Sequence, residues 1–496
     1  MQGFDNGGFY GRCVLYAEPP DTLNANSIGA ILNDVIPKHR KNSKEIQKLH
    51  EFVLGNQPVL TRKKKIRPEI KNTVLENRAA EIIEFKKGYE FSHPIIYTNA
   101  GQDDTVPIDM LNTFARLDGK EAKDLNLAEW LYKSGNAYRL CMPKTNRTID
   151  DAPYFTAVLD PSETFVVYSN EIGHPPLFAG VFVKQKKDPV TKKDRYKCGL
   201  YTDSNYYEWT VDSPAADFTG FLPTERINGL GRIPIVEYVL NENRIGYVEL
   251  CYWLFNAINT TGSNRIDALE QFVQSYLVFI NCSLEQDKDG NYTVPKAGDA
   301  IMVANQAGNA DVKFIVAQLD QDQVQITKDD LLRSIYEICG VPDRQNRNQG
   351  GGDTGQAVTL RNGWGAAESR AMSTEKMFRQ SEFEYLKLVL KICRDTQDID
   401  TGEMSLRDIG ITFTRNHSDN LQVKAQSLKM LLDAGVNPED AYEISELFND
   451  SVAVWNKSKK WQDESAQWIE SKLKLARKIG NENQPLVPNE VIEVVE

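Results

Sequence analysis

The stretch YVELCYWLFNAINTTGSNRIDALEQFVQSY, residues 247–276, decides the fold. Its apolar residues recur every three or four positions, with one glycine in the series, and this is the period of an amphipathic α-helix. At 1.5 Å per residue, about 30 residues make a helix roughly 45 Å long, which outruns a small domain. The apolar stripe comprises Cys251, Leu254, Ile258, Gly262, Ile266, Leu269, Val273 and Tyr276. We expect packing along Leu254, Ile258, Gly262, Ile266 and Leu269. The polar face, available to solvent or to a channel, carries Ser263, Asn264, Arg265, Asp267 and Glu270.

The chain after this helix changes its pattern three times. Short strand-like runs surround an Asp-Gly turn at 289–290, and a second helix is predicted from Thr327 to Gly340. The segment VPDRQNRNQGGGDTGQA, residues 341–357, has three consecutive glycines among polar residues, which predicts a mobile loop. A long amphipathic helix is then expected from Gly355 to about Asp395, with a bend at its glycines.

The chain before residue 247 predicts helices followed by a sheet. Residues 1–42 look loosely structured, with one short helix at 28–36, whereas the pattern of 43–55 is that of a capped helix ending at a glycine. Further helices are expected from about Pro68 and across 107–134. Short β-branched and aromatic runs between 136 and 239, separated by turn residues, then predict an antiparallel sheet.

The charge balance bears on one class of function. The 496 residues include 58 Lys and Arg against 70 Asp and Glu, a formal net charge of −12. Tight sequence-independent DNA binding needs basic residues that neutralise phosphates, so such a binder is disfavoured. A protein along which DNA must slide is not disfavoured, because an acidic wall repels the polyanion and does not trap it. The seven scattered cysteines predict buried free thiols, and the N-terminus predicts no secretory signal. The longest apolar stretches are too short or too interrupted to span a membrane, so we expect a soluble protein made in the cytoplasm.

Motifs for nucleotide hydrolysis and for common hydrolases are missing from the sequence. It contains no GxxxxGK[ST], GxSxG or HExxH, and its five histidines are far apart. We therefore expect no cofactor and no catalytic residue. Two acidic clusters leave open an alternative, a metal-dependent DNA-processing enzyme, although neither completes a calcium-binding loop. The clusters are Asp287, Asp289 and Asn291, and Asp398, Asp400 and Glu403.

The order of several short motifs resembles the portal proteins of tailed bacteriophages, in the family typical of siphophages of Gram-positive bacteria. The resemblance covers about residues 43–449, and its specificity lies in the order and spacing of the motifs. They are GNQPVLTRKKK (55–65), NTVLENRAAEIIEFKKGYEFSHPI (72–95), SGNAYRL (134–140), RIPIVEYVLNEN (232–243) and TGQAV (354–358).

The resemblance implies an α+β fold of portal type. Its parts would be an N-terminal segment (1–42), a mixed α/β wing (43–244 and 357–450), stem helices (245–278 and 325–340), a small β clip (279–324), a tunnel loop (341–356) and an α-helical crown with a tail (451–496). The tunnel loop departs from the family pattern by carrying arginines beside aspartates. Its DNA-facing residues would be Asp343, Arg344, Gln345, Asn346, Arg347, Asn348, Gln349, Gly350, Gly351, Gly352 and Asp353.

By the same resemblance, the chain would form a ring, of twelve subunits, at one capsid vertex of the virion. Double-stranded DNA would pass through the ring. The terminase large subunit and a head-completion or adaptor protein would dock on the clip, and the major capsid and scaffolding proteins would surround the ring. A structural adaptor outside any virus stays a further alternative.

A ring of acidic subunits needs complementary patches at its interfaces, because every copy carries the charge of −12. The basic run after the first capped helix is one candidate patch, and the basic residues of 457–478 are another. We expect the run to pair with an acidic surface of the neighbouring subunit. It consists of Arg62, Lys63, Lys64, Lys65 and Arg67.

Overall fold

A computed structural model gives the fold of this chain. It describes residues 11–64, 68–99, 106–148, 150–187, 194–212, 217–220, 222–273, 276–280, 311–315, 320–343, 363–396, 404–415, 421–445, 447–448 and 451–480. Helices and strands are interspersed along these segments, which confirms a mixed α and β protein.

The helices are, in chain order, α1 (Ala25–Val53), α2 (Arg78–Glu90), α3 (Val106–Leu117), α4 (Lys120–Ser134), α5 (Tyr247–Leu250), α6 (Tyr252–Val273), α7 (Gln321–Cys339), α8 (Trp364–Asp395), α9 (Leu421–Asp433), α10 (Pro438–Ser445) and α11 (Ser451–Gly480). Short 3-10 turns lie at Pro58–Thr61 and Leu406–Asp408. Within the described segments, no helix has both the length and the apolar character needed to cross a bilayer.

The strands are β1 (Leu15–Ala17), β2 (Ile96–Asn99), β3 (Asn136–Pro143), β4 (Tyr154–Leu159), β5 (Thr164–Ser169), β6 (Pro176–Gln185), β7 (Arg195–Tyr201), β8 (Asn205–Val211), β9 (Thr224–Ile227), β10 (Ile235–Val239), β11 (Tyr276–Ile280), β12 (Asp311–Ile315) and β13 (Ile409–Thr412). A six-stranded sheet has the order β1-β5-β6-β7-β8-β9, and a three-stranded sheet has the order β10-β3-β4. All these pairings are antiparallel except β1 with β5, so the antiparallel sheet expected between 136 and 239 is confirmed. Two-stranded ladders join β11 to β12 and β13 to β2.

Two apolar cores hold the elements together. The larger core gathers buried side chains from α1, α2, α4, β3, α6, α7 and α8, among them Phe52 and Phe378. The second core packs the first half of α1 on the six-stranded sheet, with Leu32 against the layer that holds Phe165. Because α1 contributes to both cores, it joins the sheet to the helical body.

The helix boundaries differ from the sequence expectation at four places. The helix expected from Ser43 instead begins at Ala25 and runs through Pro37, because Asn24 and Ser27 form a capping box at its start. The helix expected from Pro68 begins at Arg78, where the Asn77 side chain caps it.

The long helix after the glycine-rich segment begins later than expected. Gly363 has a φ of 83° and precedes the first turn of α8, so it starts this helix and does not bend it. Residues 351–362 lie outside the described segments. The second long helix, α7, begins at Gln321 because Asp320 caps it, whereas the sequence predicted a start at Thr327.

Candidate functional site

The two long helices α6 and α7 form an antiparallel pair. The Arg265 side chain of α6 donates to Gln321 at 2.8 Å and to Gln325 at 2.7 Å, near the start of α7. At the other end, Cys251 approaches Cys339. β11 follows α6 and β12 precedes α7, so the β ladder lies at one end of the pair and residue 341 at the other.

The apolar stripe of α6 is buried along only part of its length. Ile258 is fully buried, and Leu254 packs against the larger core. Beyond Gly262 the stripe emerges, because Ile266 is 40% exposed and Leu269 is 49% exposed. The expectation of continuous packing along these five positions is therefore met within the chain only in its first half.

A strap, defined here as residues 70–77, runs along the polar face of α6. The backbone N–H of Glu76 donates to Asn259 at 2.8 Å, and that of Val74 donates to the Ser263 hydroxyl at 3.0 Å. The N–H of Asn72 donates to Asp267 at 2.7 Å. All three acceptor residues are buried. Ser263 and Asp267, on the polar face that the sequence left to solvent or to a channel, are thus covered by the chain itself, whereas Asn264 is exposed.

The spacing of this ladder follows from backbone geometry. Four residues of an α-helix advance about 6.0 Å, and two residues of an extended chain advance about 6.6 Å. Every fourth residue of α6 can therefore meet every second residue of the strap. Gly262 lies on this side too, where an added Cβ would be 3.4 Å from Val74 Cγ1.

Asp267 is the centre of charge in this site. Its carboxylate accepts from Arg62 and, at 3.1 Å, from Lys64, in addition to the Asn72 amide. Burial works to raise the pKa of this carboxyl, but the Asn72 and Lys64 hydrogen bonds and the Arg62 charge outweigh it and hold the pKa below its usual value.

The predicted basic patch thus meets a carboxylate of its own chain. Arg62 and Lys64 were expected to pair with a neighbouring subunit, and the structure gives both an intrachain partner because the strap brings them against α6. Lys65 and Arg67 lie outside the described segments. Pairing of the run across subunits stays a prediction.

The strap also reaches α7. Lys328 of α7 donates to Glu76 at 2.5 Å, and Arg78 lies 3.1 Å from the same carboxylate. These two cations lower the pKa of Glu76, against the opposing effect of burial. One segment therefore ties both long helices to the helical body that begins at α2.

The described segments that end at residue 343 and begin again at residue 363 lie next to each other. A Cβ added to Gly363 would be 3.7 Å from the Cα of Pro342. A cleft of about 460 Å³ opens here, between the end of α7, the start of α8 and the aromatic face of α2. Of the predicted loop residues only Asp343 is described; Arg344 to Asp353 lie outside, as do both acidic clusters. The described part of the chain contains no group of three or more His, Cys, Asp or Glu residues that could hold a metal ion.

The strap is the part of this site that sequence reasoning missed. The sequence predicts a helix from about Pro68, because Val74, Ala79, Ile82 and Ile83 have helical spacing. The available signal was the polar series Asn259, Ser263, Asp267 inside an apolar helix, at steps of four. Such a series indicates buried acceptors that need backbone donors.

Sequence comparison assigns the chain to a family. The profile of "Phage portal protein, SPP1 Gp6-like" matches residues 32–470. A curated relative is the portal protein of Bacillus phage SPP1, which is 23% identical over 299 residues, and the match covers 58% of this chain and 58% of the relative. The chain thus matches a little over half the length of that relative.

Two solved structures match parts of this chain. One is the neck of a native GTA particle computed with C12 symmetry, with a TM-score of 0.41 and 13% identity over 74% of this chain and 89% of that one. The other is the neck of an empty GTA particle computed with C6 symmetry, with a TM-score of 0.43 and 12% identity over 75% and 90%. The profile match spans most of the sequence and includes the long helices, the strap and the sheets, and on that ground the chain belongs to the SPP1 Gp6-like family of phage portal proteins.

Proposed function

We propose that this chain is the portal subunit of a tailed phage. It forms a ring at one capsid vertex, and the ring is the channel through which DNA enters during packaging and leaves during ejection. The observation that carries the proposal is the family match over residues 32–470. The terminase and head-completion proteins dock on this ring, and the capsid and scaffolding proteins surround it.

Within the proposed ring, α6 and α7 are the stem. The β11–β12 ladder at one end of the pair belongs to the clip, and residues 341–356 at the other end are the tunnel loop. The six-stranded sheet and α8 belong to the wing, and α11 belongs to the crown. The adjacency of Pro342 and Gly363 supports a loop that leaves and re-enters the body at one point.

The exposed half of the α6 stripe supports contact between copies. Ile266 and Leu269 are apolar, large and uncovered in the single chain. Burial of such side chains is favourable by about 25 cal/mol per Å². A head-to-tail contact that repeats by a fixed rotation closes into a ring, so one such face on each subunit is enough.

The experiment that tests this proposal is negative-stain microscopy of the purified chain with mass measurement in solution. Rings with a central hole and a mass near twelve subunits support it. A monomer under all conditions, or magnesium-dependent DNA cleavage by the purified chain, would overturn it in favour of the enzyme alternative.

The loop assignment has its own test. Replacing Gly350, Gly351 and Gly352 with proline removes the backbone freedom that a loop facing moving DNA needs. We expect rings to assemble as before and DNA packaging in an infection or extract assay to fall. Packaging at the unmodified level by the proline variant would refute the assigned role.

A further inference from the structure

Two cysteines meet where the antiparallel helices come together, at the end away from the β ladder. Cys251 lies between α5 and α6, and Cys339 is the last residue of α7. Both side chains are fully buried, and their sulfur atoms lie 3.5 Å apart. A disulfide holds its sulfurs about 2.05 Å apart, so a further approach of about 1.5 Å would allow the bond to form.

We propose that Cys251 and Cys339 form an oxidisable dithiol, which a peroxide converts to a disulfide that joins the residue before α6 to the last residue of α7, two positions before Val341. This inference goes beyond the portal assignment, because it concerns the covalent chemistry of one chain and holds whether or not the chain forms a ring.

Two cations near Cys339 oppose the rise in its pKa that the hydrogen bond with Cys251 and burial cause. The ammonium of buried Lys86 lies 4.9 Å from the centroid of the Tyr247 ring, and both Lys86 and Arg370 are close enough to Cys339 to act on its charge. Cations beside a cysteine stabilise its thiolate. The side chain of Arg370 is held against Gly340, the residue after Cys339.

The two thiols ionise in sequence, and the pKa shifts indicate which one is first. The hydrogen bond with Cys339 lowers the pKa of Cys251, although burial opposes this. The same hydrogen bond, together with burial, raises the pKa of Cys339. The first proton therefore leaves Cys251, and the Cys339 thiol donates to the resulting thiolate.

The oxidation balances with one molecule of hydrogen peroxide. The Cys251 thiolate attacks one peroxide oxygen, and the O–O bond breaks. Hydroxide departs as the leaving group, and Cys251 becomes a sulfenic acid. The Cys339 thiolate then attacks the Cys251 sulfur, the S–O bond breaks, and a second hydroxide leaves as the S–S bond forms. The two thiol protons and the two hydroxides become two waters. The two sulfurs together lose two electrons, which the peroxide gains.

The bond would close a long covalent loop. The two cysteines are 88 positions apart, and the chain between them includes α6, the β ladder and α7. The disulfide would fix the helix pair at one end, while the Arg265 hydrogen bonds hold the other. Opening of the pair at the Cys339 end would then require reduction.

The test uses the full-length protein and titrated hydrogen peroxide. In a Cys13→Ser background, which removes the one exposed thiol among the described cysteines, the denatured protein has six of the seven cysteines of the sequence. We expect peroxide to lower the thiol count by two, and a peptide pair linked through Cys251 and Cys339 to appear in the digest and vanish after reduction. Amide hydrogen exchange at the end of α7 should slow in the oxidised form.

Matched variants separate the pair from other cysteines. Adding Cys251→Ala should abolish the loss of thiols and the linked peptides, whereas adding Cys198→Ala, a cysteine buried in the six-stranded sheet, should leave both unchanged. The digest of the Cys13→Ser protein needs no core substitution, so it decides the matter even if Cys251→Ala folds poorly. Stable sulfinic acid at Cys251 without a link, or two thiols still free at a peroxide dose that oxidises Cys13 in the wild type, would overturn the proposal.

Discussion

Replacing Asp267 with asparagine should release the strap from α6. The substitution keeps the side-chain volume and one carbonyl oxygen for the Asn72 amide, but it removes the charge that Arg62 and Lys64 meet. Hydrogen bonds to charged groups contribute about 1.5–3 kcal/mol each. The Arg62 and Lys64 side chains are 14% and 27% exposed, so water recovers part of the loss. We expect a net cost of about 2 kcal/mol to the local stability of the strap.

Hydrogen exchange measured by mass spectrometry reads this cost directly. A loss of about 2 kcal/mol corresponds to roughly 30-fold faster exchange where local opening controls the rate. The effect should be confined to peptides that cover 70–77, because the amides of Asn72, Val74 and Glu76 donate to α6. Ser263→Ala, which removes the acceptor of Val74, should accelerate exchange in the same peptides by a smaller factor.

Asp330→Asn is the matched control, because it removes one negative charge from an exposed position of α7. Its exchange in the strap should equal that of the wild type. Unchanged protection of 70–77 in Asp267→Asn, or equal acceleration in the Asp330 variant, would refute the view that the ladder and its charge centre hold the strap.

Three further outcomes are expected. Glu382 is buried against Lys120 and Arg139. Burial alone would raise the pKa of this carboxyl, but the two cations hold the pKa at about 2. The ionised Glu382 therefore contributes its full stabilisation above the unfolded-state pKa near 4.5, and this stabilisation is lost as the pH falls toward 2. Glu382→Gln should therefore cost about 3–5 kcal/mol at pH 7 and flatten the acid limb of a stability profile measured by denaturant unfolding. Gly262→Ala should raise the free energy of unfolding by about 0.5–1 kcal/mol, because its Cβ meets Val74 at an ordinary distance. Gly135→Ala should lower it by more than about 1 kcal/mol, because Gly135 has a φ of 82° and an added Cβ would fall 2.2 Å from the Arg244 carbonyl carbon. Melting temperatures that change in the same direction in the two variants would contradict this. A variant with both Ile266→Glu and Leu269→Glu should weaken association between copies about tenfold or more, as measured by mass photometry. The control Ile172→Glu, at a fully exposed turn, should leave association unchanged. Equal ring populations in the two variants would count against the α6 contact.

Periodicity in the sequence predicted the elements whose burial is local and regular. The stripe of α6 and the apolar runs that became β3 to β8 and β10 have regular apolar positions, and such patterns identify helices and strands directly. The helix boundaries were harder to predict from the sequence. Asn24 and Asp320 are the residues that start α1 and α7, but a capping residue alone does not distinguish a helix start from a turn.

The buried charges could not be predicted in the same way. Glu382 joins Lys120 and Arg139 across more than 240 positions of sequence, and it is fully buried. Nothing in the local pattern of α8 distinguishes this glutamate from Glu384, which is exposed two residues later. A buried ionic cluster depends on which elements meet, and that is a property of the tertiary fold. The strap is a case of the same kind, since its partners lie nearly 200 positions away.

The strap also bears on how α6 presents its uncovered residues. At 100° per residue, the acceptor row of Asn259, Ser263 and Asp267 lies about a quarter to a third of a turn around the helix from the apolar stripe. A rotation of α6 about its axis would pull all three acceptors away from their backbone donors together. The ladder therefore fixes the rotation of the helix, and with it the direction in which Ile266 and Leu269 face. Because Glu76 of the strap also binds Lys328, the strap fixes the position of α7 relative to α6. In a ring, a contact repeated between all copies needs the same helix rotation in every copy, so we infer that the strap, rather than the stripe itself, sets the geometry of the contact between subunits.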